Sequence, residues 1–218
     1  MRRYIVFIIT ISFFMSSSCA SARYETGAKP RYAVASWYGP DFHGRPTASG
    51  EIYDMNAFTC AHREYPFGTK LKITYLSTAK TTSCLVNDRG PFIDGRDIDL
   101  SYAAAKDLGL IPAGTGAVRI EYMGRDNSYI REVRDISNTD LVTIQVGSFK
   151  DLTNATRLKI ALELKYDKIY ITEADVKGNR YYRVRVGTFR IRGEALRFAN
   201  VLTDEGYDTL ITNYEEKL

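Results

Sequence analysis

The chain has 218 residues, 30 Lys and Arg against 26 Asp and Glu, and a formal net charge of +4. That length suits two small domains once an N-terminal leader is set aside. The basic residues are scattered without a run, which excludes a polybasic arm as the basis of function.

Arg2 and Arg3 precede an apolar stretch, residues 5–14, that is too short to span a bilayer as a mature helix. Ser16, Ser17 and Ser18 then lead to Cys19 and Ala20. The pattern resembles a bacterial lipoprotein leader of residues 1–18, with Cys19 diacylated as the new first residue. Ser16 stands where leucine is usual, and an ordinary leader cleaved near Ala20 or Ala22 is the alternative. Two acyl chains, at about 0.8 kcal/mol per buried methylene, anchor a protein without a transmembrane helix. Ala20 is not acidic, and in Gram-negative bacteria the resemblance then implies sorting to the outer membrane, facing the periplasm. Export argues against a nucleic-acid partner and leaves the mild basic excess as an attraction to anionic envelope polymers. In an oxidising compartment Cys60 and Cys84 form an even pair, open to a disulfide or to two buried thiols.

Residues 19–31 are polar and aperiodic, a tether. Alternation or β-branched content predicts strands at 33–38, 70–76, 81–87 and 117–123. A helix is predicted at 102–108, with Ser101 as N-cap and Gly109 just past its end. Asp88 closes one strand pattern ahead of Gly90 and Pro91, and Asp99 follows eleven residues later, before Leu100. Acids presented at the mouth of a rigid β-scaffold suit proton transfer to a glycosidic oxygen.

Upstream stand Ala35-Ser36-Trp37-Tyr38-Gly39, Thr47-Ala48-Ser49-Gly50-Glu51, Ala61-His62 and Pro66-Phe67-Gly68-Thr69. With Asn87-Asp88-Arg89-Gly90, these motifs resemble in order and spacing the six-stranded double-psi β-barrel of the rare lipoprotein A family, over residues 32–124. The resemblance implies a lytic transglycosylase that cleaves peptidoglycan glycan strands endolytically, leaving 1,6-anhydromuramic ends. It assigns Glu51, His62 and Asp88 to the groove. Asp99 enters through a weaker resemblance to membrane-bound lytic transglycosylase A. Asp88 is the first candidate for the acid/base, Asp99 its rival, Glu51 a partner carboxylate and His62 a positioning or proton-sharing group. Each has a plainer alternative: an Asx turn or Arg89 pairing for Asp88, a helix cap for Asp99, ordinary polar roles for Glu51 and His62. Trp37 and Tyr38 suit the apolar face of a pyranose, or core packing. The alternative function is a non-catalytic, expansin-like lipoprotein that binds peptidoglycan. His43 and His62 lack zinc-ligand spacing, so neither metal nor cofactor is expected.

Residues 125–138 are charged and aperiodic, and are read as a linker that few contacts cross, with each domain folding alone. Beyond them Gln145-Val146-Gly147-Ser148-Phe149 is echoed by Arg185-Val186-Gly187-Thr188-Phe189, each before a helical pattern. The second helix carries Ala195, Phe198, Ala199 and Leu202 at helical spacing, and Gly206 ends it. This βαββαβ order resembles the sporulation-related repeat (SPOR) domain over residues 139–218, an α+β fold, which implies binding to peptide-stripped glycan and enrichment at the division septum. Strand parity places Val142, Ile144 and Val146, and likewise Tyr182, Val184 and Val186, under the helices. Thr143, Gln145, Tyr181, Arg183 and Arg185 then share the open face, with the last four as glycan-binding candidates. An open sheet with Tyr and Arg also suits single-stranded RNA, against which the leader argues.

Overall fold

Alternation writes the first domain. In a computed structural model, which describes residues 29–214, Leu71 and Ile73 point inward along one strand while Lys70 and Lys72 point out. The leader and Cys19 lie outside the described residues. Six strands, β1 (Arg31–Trp37), β2 (Thr59–His62), β3 (Thr69–Tyr75), β4 (Thr81–Asp88), β5 (Ile98–Leu100) and β6 (Gly116–Arg125), close a barrel in the order β1-β5-β2-β4-β3-β6. The pairs β1–β5 and β2–β4 are parallel and the rest antiparallel. Cys60 of β2 and Cys84 of β4 are joined in a disulfide, their Cα atoms 5.8 Å apart. Helix α1 (Tyr102–Leu108) starts where Ser101 Oγ accepts the Ala104 N–H and ends at Gly109, whose φ of +80° a side chain would resist.

The register of β2 matters most for the site. This short strand lies between β4 and β5, and Ala61 stands opposite both Asp88 and Asp99. At the usual strand spacing the two aspartates are held ~10 Å apart across a residue with almost no side chain.

The second domain is a sheet of β7 (Val133–Asp135), β8 (Val142–Phe149), β9 (Ile169–Val176), β10 (Asn179–Phe189) and β11 (Thr209–Asn213), in the order β7-β11-β8-β10-β9. Helices α2 (Leu152–Glu163) and α3 (Arg192–Asp204) cover one face, burying Val142, Ile144, Val146, Val184 and Val186.

Residues 125–138, read from their charges as a linker, are structured. They hold the end of β6, a 3-10 turn at Asn127–Tyr129 and β7, which pairs in parallel with β11. Their charged side chains serve contacts and not only solvation: Arg125 Nε donates to the Phe67 carbonyl at 2.8 Å. Many contacts cross between the domains. Buried Arg89 donates from Nε to the Tyr207 hydroxyl at 2.6 Å and from a terminal nitrogen to the Tyr65 carbonyl at 3.0 Å. Its guanidinium carbon lies 3.7 Å from the centre of the Phe67 ring, whose edge meets Tyr207. The Phe67 N–H donates to the Glu205 carbonyl at 3.0 Å, and Gly206 sits so close that a Cβ there would come within 2.9 Å of Phe67 Cβ.

Candidate active site

Asp88 ends β4 where the chain turns to Gly90 and Pro91. Its Oδ1 accepts the Ala48 N–H and the Arg89 N–H, both at 2.8 Å, and its Oδ2 accepts the Tyr38 hydroxyl at 3.2 Å. Burial pushes its carboxyl above the usual carboxylate range, and those hydrogen bonds pull back without cancelling the effect. Tyr38 is pushed well above the usual phenol range by burial and then by the Asp88 charge, so it stays a fixed donor. Arg89, adjacent in sequence, does not pair with Asp88 through its side chain; its guanidinium turns to Tyr207.

Asp99 on β5 is buried and held differently. Its Oδ1 accepts the Ser36 hydroxyl and an Arg96 guanidinium nitrogen, the latter at 2.6 Å. It does not cap α1, because Ser101 does so itself. Asp88 and Asp99 line one cleft of about 370 Å³ with Trp37, Tyr38, Phe92 and, from helix α2, Arg157. The Trp37 ring is braced edge-on by Tyr102 at 5.8 Å. One carboxyl raised by burial, a second tied to the Ser36 hydroxyl and the Arg96 guanidinium, and an aromatic wall can protonate and hold a sugar bond.

The other two candidates stand elsewhere. His62 follows Ala61 on β2, so alternation turns its ring to the opposite face. It is 5% exposed, and its Nδ1 accepts the Glu64 and Tyr65 N–H groups at 3.0 and 3.1 Å. Burial first, then the charges of Arg31, Arg89, Arg63 and Lys165, lower its pKa to about 3. The ring is neutral and borders a separate depression with Arg31, Arg63 and Asp97. Glu51 accepts from Asn87 Nδ2 at 2.8 Å and from the Tyr129 hydroxyl, and Asn87 is the extra residue where the β2–β4 register shifts just before Asp88. The structure brings Asp88, Asp99 and Trp37 into one cleft, and places His62 beside a separate depression and Glu51 against Asn87 and Tyr129.

On the second domain, Gln145, Tyr181 and Arg183 are half-buried on the sheet face away from the helices. Two residues expected beside them are not available. Thr143 is fully buried, and Arg185 is 1% exposed. Arg185 donates from Nε to Thr172 Oγ1 at 3.0 Å and from a terminal nitrogen to the Asn213 carbonyl at 3.2 Å. Tyr170, its register partner on β9, donates to Thr143 Oγ1 at 2.8 Å and meets Tyr214 edge-on, closing this part of the face. Gln145 borders a cavity of about 250 Å³ with Ala48, Ser49 and Gly50 of the barrel and Arg134 and Asp208 of its own domain. Ser36, Arg96 and Arg157 were not singled out in the sequence. Arg96 lies three residues before Asp99, a legible spacing, whereas nothing in α2 points Arg157 at a distant cleft.

A closed barrel of interleaved strands whose cleft is lined by two aspartates, joined to a βαββαβ domain, defines a class of two-module protein. The lytic transglycolase family, whose domain is the double-psi β-barrel, matches residues 32–122, and the SPOR domain family matches residues 138–213. The endolytic peptidoglycan transglycosylase RlpA of Vibrio cholerae is 37% identical over 175 residues, covering 80% of this chain and 65% of that protein. Its namesake in Campylobacter jejuni is 36% identical over 186 residues, covering 76% and 66%. The probable endolytic peptidoglycan transglycosylase RlpA of Synechocystis is 51% identical over 88 residues, covering 40% and 27%. The chain belongs to the rare lipoprotein A family. It spans 65% and 66% of the lengths of the Vibrio and Campylobacter relatives, about two thirds.

Proposed function

We propose that this chain is an endolytic peptidoglycan lytic transglycosylase of the cell envelope, acting on peptide-stripped glycan strands. In this reading Cys19 carries the lipid anchor to the outer membrane, and the SPOR domain enriches the protein at the septum through Gln145, Tyr181 and Arg183. The protonated Asp88 carboxyl gives its proton to the bridging oxygen as the bond to C1 of the muramic residue breaks. The resulting carboxylate then takes the proton of the sugar's own C6 hydroxyl, whose oxygen closes on C1 as a 1,6-anhydro ring. No water is consumed, and one carboxyl serves twice. Asp99, fixed by Ser36 and Arg96, supplies negative charge near the oxocarbenium-like centre. Glu51 and His62 act as positioning residues, Glu51 through Asn87 beside Asp88 and His62 through the 62–65 turn.

The observation that carries the reading is the Asp88 carboxyl, raised by burial and held by Ala48 and Tyr38 in a cleft walled by Trp37. Such a group keeps its proton to a higher pH than an ordinary carboxyl does, as a proton donor requires. The test is to incubate the full chain with amidase-treated sacculi and resolve the products by mass spectrometry. Strands of mixed length ending in anhydromuramic acid are expected. Reducing muramic ends, or no products, would contradict the proposal.

A further inference from the structure

The cleft of Asp88 and Asp99 contains a cation that the barrel does not supply. Arg157 lies in α2 of the SPOR domain and lines the cleft with Asp88, Asp99 and Trp37. Its guanidinium carbon stands 5.3 Å from the centre of the Phe42 ring, which holds it over the cleft mouth. The other two arginines of the cleft are committed, Arg89 to Tyr207 and Tyr65, and Arg96 to Asp99. Among the described residues Arg157 has neither an ion-pair partner nor a hydrogen bond of its own. A half-buried guanidinium with five free donors, set in a fixed fork, is suited to bind a carboxylate bidentately.

The proposed substrate offers one such group. Each muramic residue bears a lactyl ether whose carboxyl is an amide while the stem peptide is attached. Removal of the peptide leaves a free anion there. The glucosamine residues carry no charge. We infer that Arg157 is a specificity-determining residue which binds the free lactyl carboxylate of a peptide-stripped muramic residue, so that the SPOR domain completes the site in the barrel. An intact stem peptide would present a neutral, bulky amide to the same guanidinium. The inference rests on the transglycosylase reading and gives it a substrate filter. The contacts of Arg89, Phe67, Glu205 and Tyr207 hold the two domains in the relation it needs.

The sequence contains one Trp, Trp37, and it lies in this cleft, so its fluorescence reports occupancy there and not on the sheet face. Peptide-free glycan oligosaccharides are titrated into the full chain carrying Asp88→Asn, which prevents turnover. The same oligosaccharides are titrated after carbodiimide coupling to methylamine, which converts each carboxylate to a methylamide. The parent should bind the free-carboxylate form at least tenfold more tightly. Arg157→Gln should abolish that difference with an unchanged melting temperature, and Arg157→Lys should restore part of it. A tenfold preference that survives Arg157→Gln, or equal binding of both forms by the parent, would overturn the inference. Failure of the chain with Asp88 intact to cleave strands that it discriminates in this titration would sink the transglycosylase reading alone.

Discussion

The cleft of the barrel and the open face of the SPOR sheet treat charge in opposite ways. In the cleft, Asp88 and Asp99 are desolvated, and each is tied to named donors before any substrate arrives. On the sheet, Gln145, Tyr181 and Arg183 remain half-open to solvent, and the Lys150 ammonium stands 5.9 Å from the centre of the Tyr181 ring. A proton carrier must have a tuned affinity and a fixed position, so it is buried and held. A surface that binds and releases a long polymer needs donors that can exchange water for sugar at little cost. Arg185 marks the boundary between the two regimes: it lies two residues from Arg183 on the same face, yet it is enclosed.

The comparison can be broken first at His62, the most strongly perturbed buried base of the barrel. Its pKa is about 3 in the fold against 6.5 ordinarily. The stability it contributes as a neutral ring is therefore complete above pH 6.5 and is lost as pH falls toward 3. By pH 4 the loss is on the order of 3 kcal/mol. Urea unfolding at pH 7 and pH 4 should show a steeper loss for the parent than for His62→Gln. Parallel losses would mean that the ring is not held neutral.

The two sheet arginines come next. Arg185→Ala removes a buried guanidinium and strands its partners, a cost of about 3 kcal/mol. Arg183→Ala should leave stability within about 0.5 kcal/mol while weakening glycan binding severalfold. Thermal melts and a glycan pulldown on both variants check this; equal destabilisation would erase the distinction between scaffold and binding residue.

Gly206→Ala tests the seam between the domains. Its φ of +93° and the closeness of Phe67 predict a loss of about 1–2 kcal/mol, read as a lower urea midpoint. No change would mean that the seam is loose. The smallest effect concerns Asp88 itself. Its raised pKa stabilises the fold only while it is protonated, fully so below the ordinary carboxylate value and not above the raised one. Asp88→Asn should therefore melt higher than the parent at pH 7, with the gap closing as the solution is acidified through the carboxylate range.

Much of this architecture was legible because it is written in local patterns. The four long barrel strands and both caps of α1 follow from alternation, Ser101 and Gly109. The SPOR order followed from the repeated Val-Gly-Ser/Thr-Phe. Strands β2 and β5, with four and three residues, are too short to show a period. That cost the correct placement of His62, since only a strand at 59–62 reveals that Ala61 and His62 face opposite ways. The burial of Arg185 depends on Tyr170 and Tyr214, distant in sequence, and Arg157 reaches the cleft only through the docking of two domains. Motifs named the carboxylates; long-range packing decided which of them share a cavity.

The central claim is that Asp88 carries the proton. It is tested most directly by counting anhydromuramic ends released per minute from peptide-stripped glycan by the full chain and by its Asp88→Asn, Asp99→Asn and Glu51→Gln variants. Loss of a general acid/base predicts a rate about 10³-fold lower for Asp88→Asn. Glu51→Gln, altered only in a supporting contact, should stay within about tenfold of the parent. A parent-like rate for Asp88→Asn, with the activity lost in Asp99→Asn instead, would contradict the account.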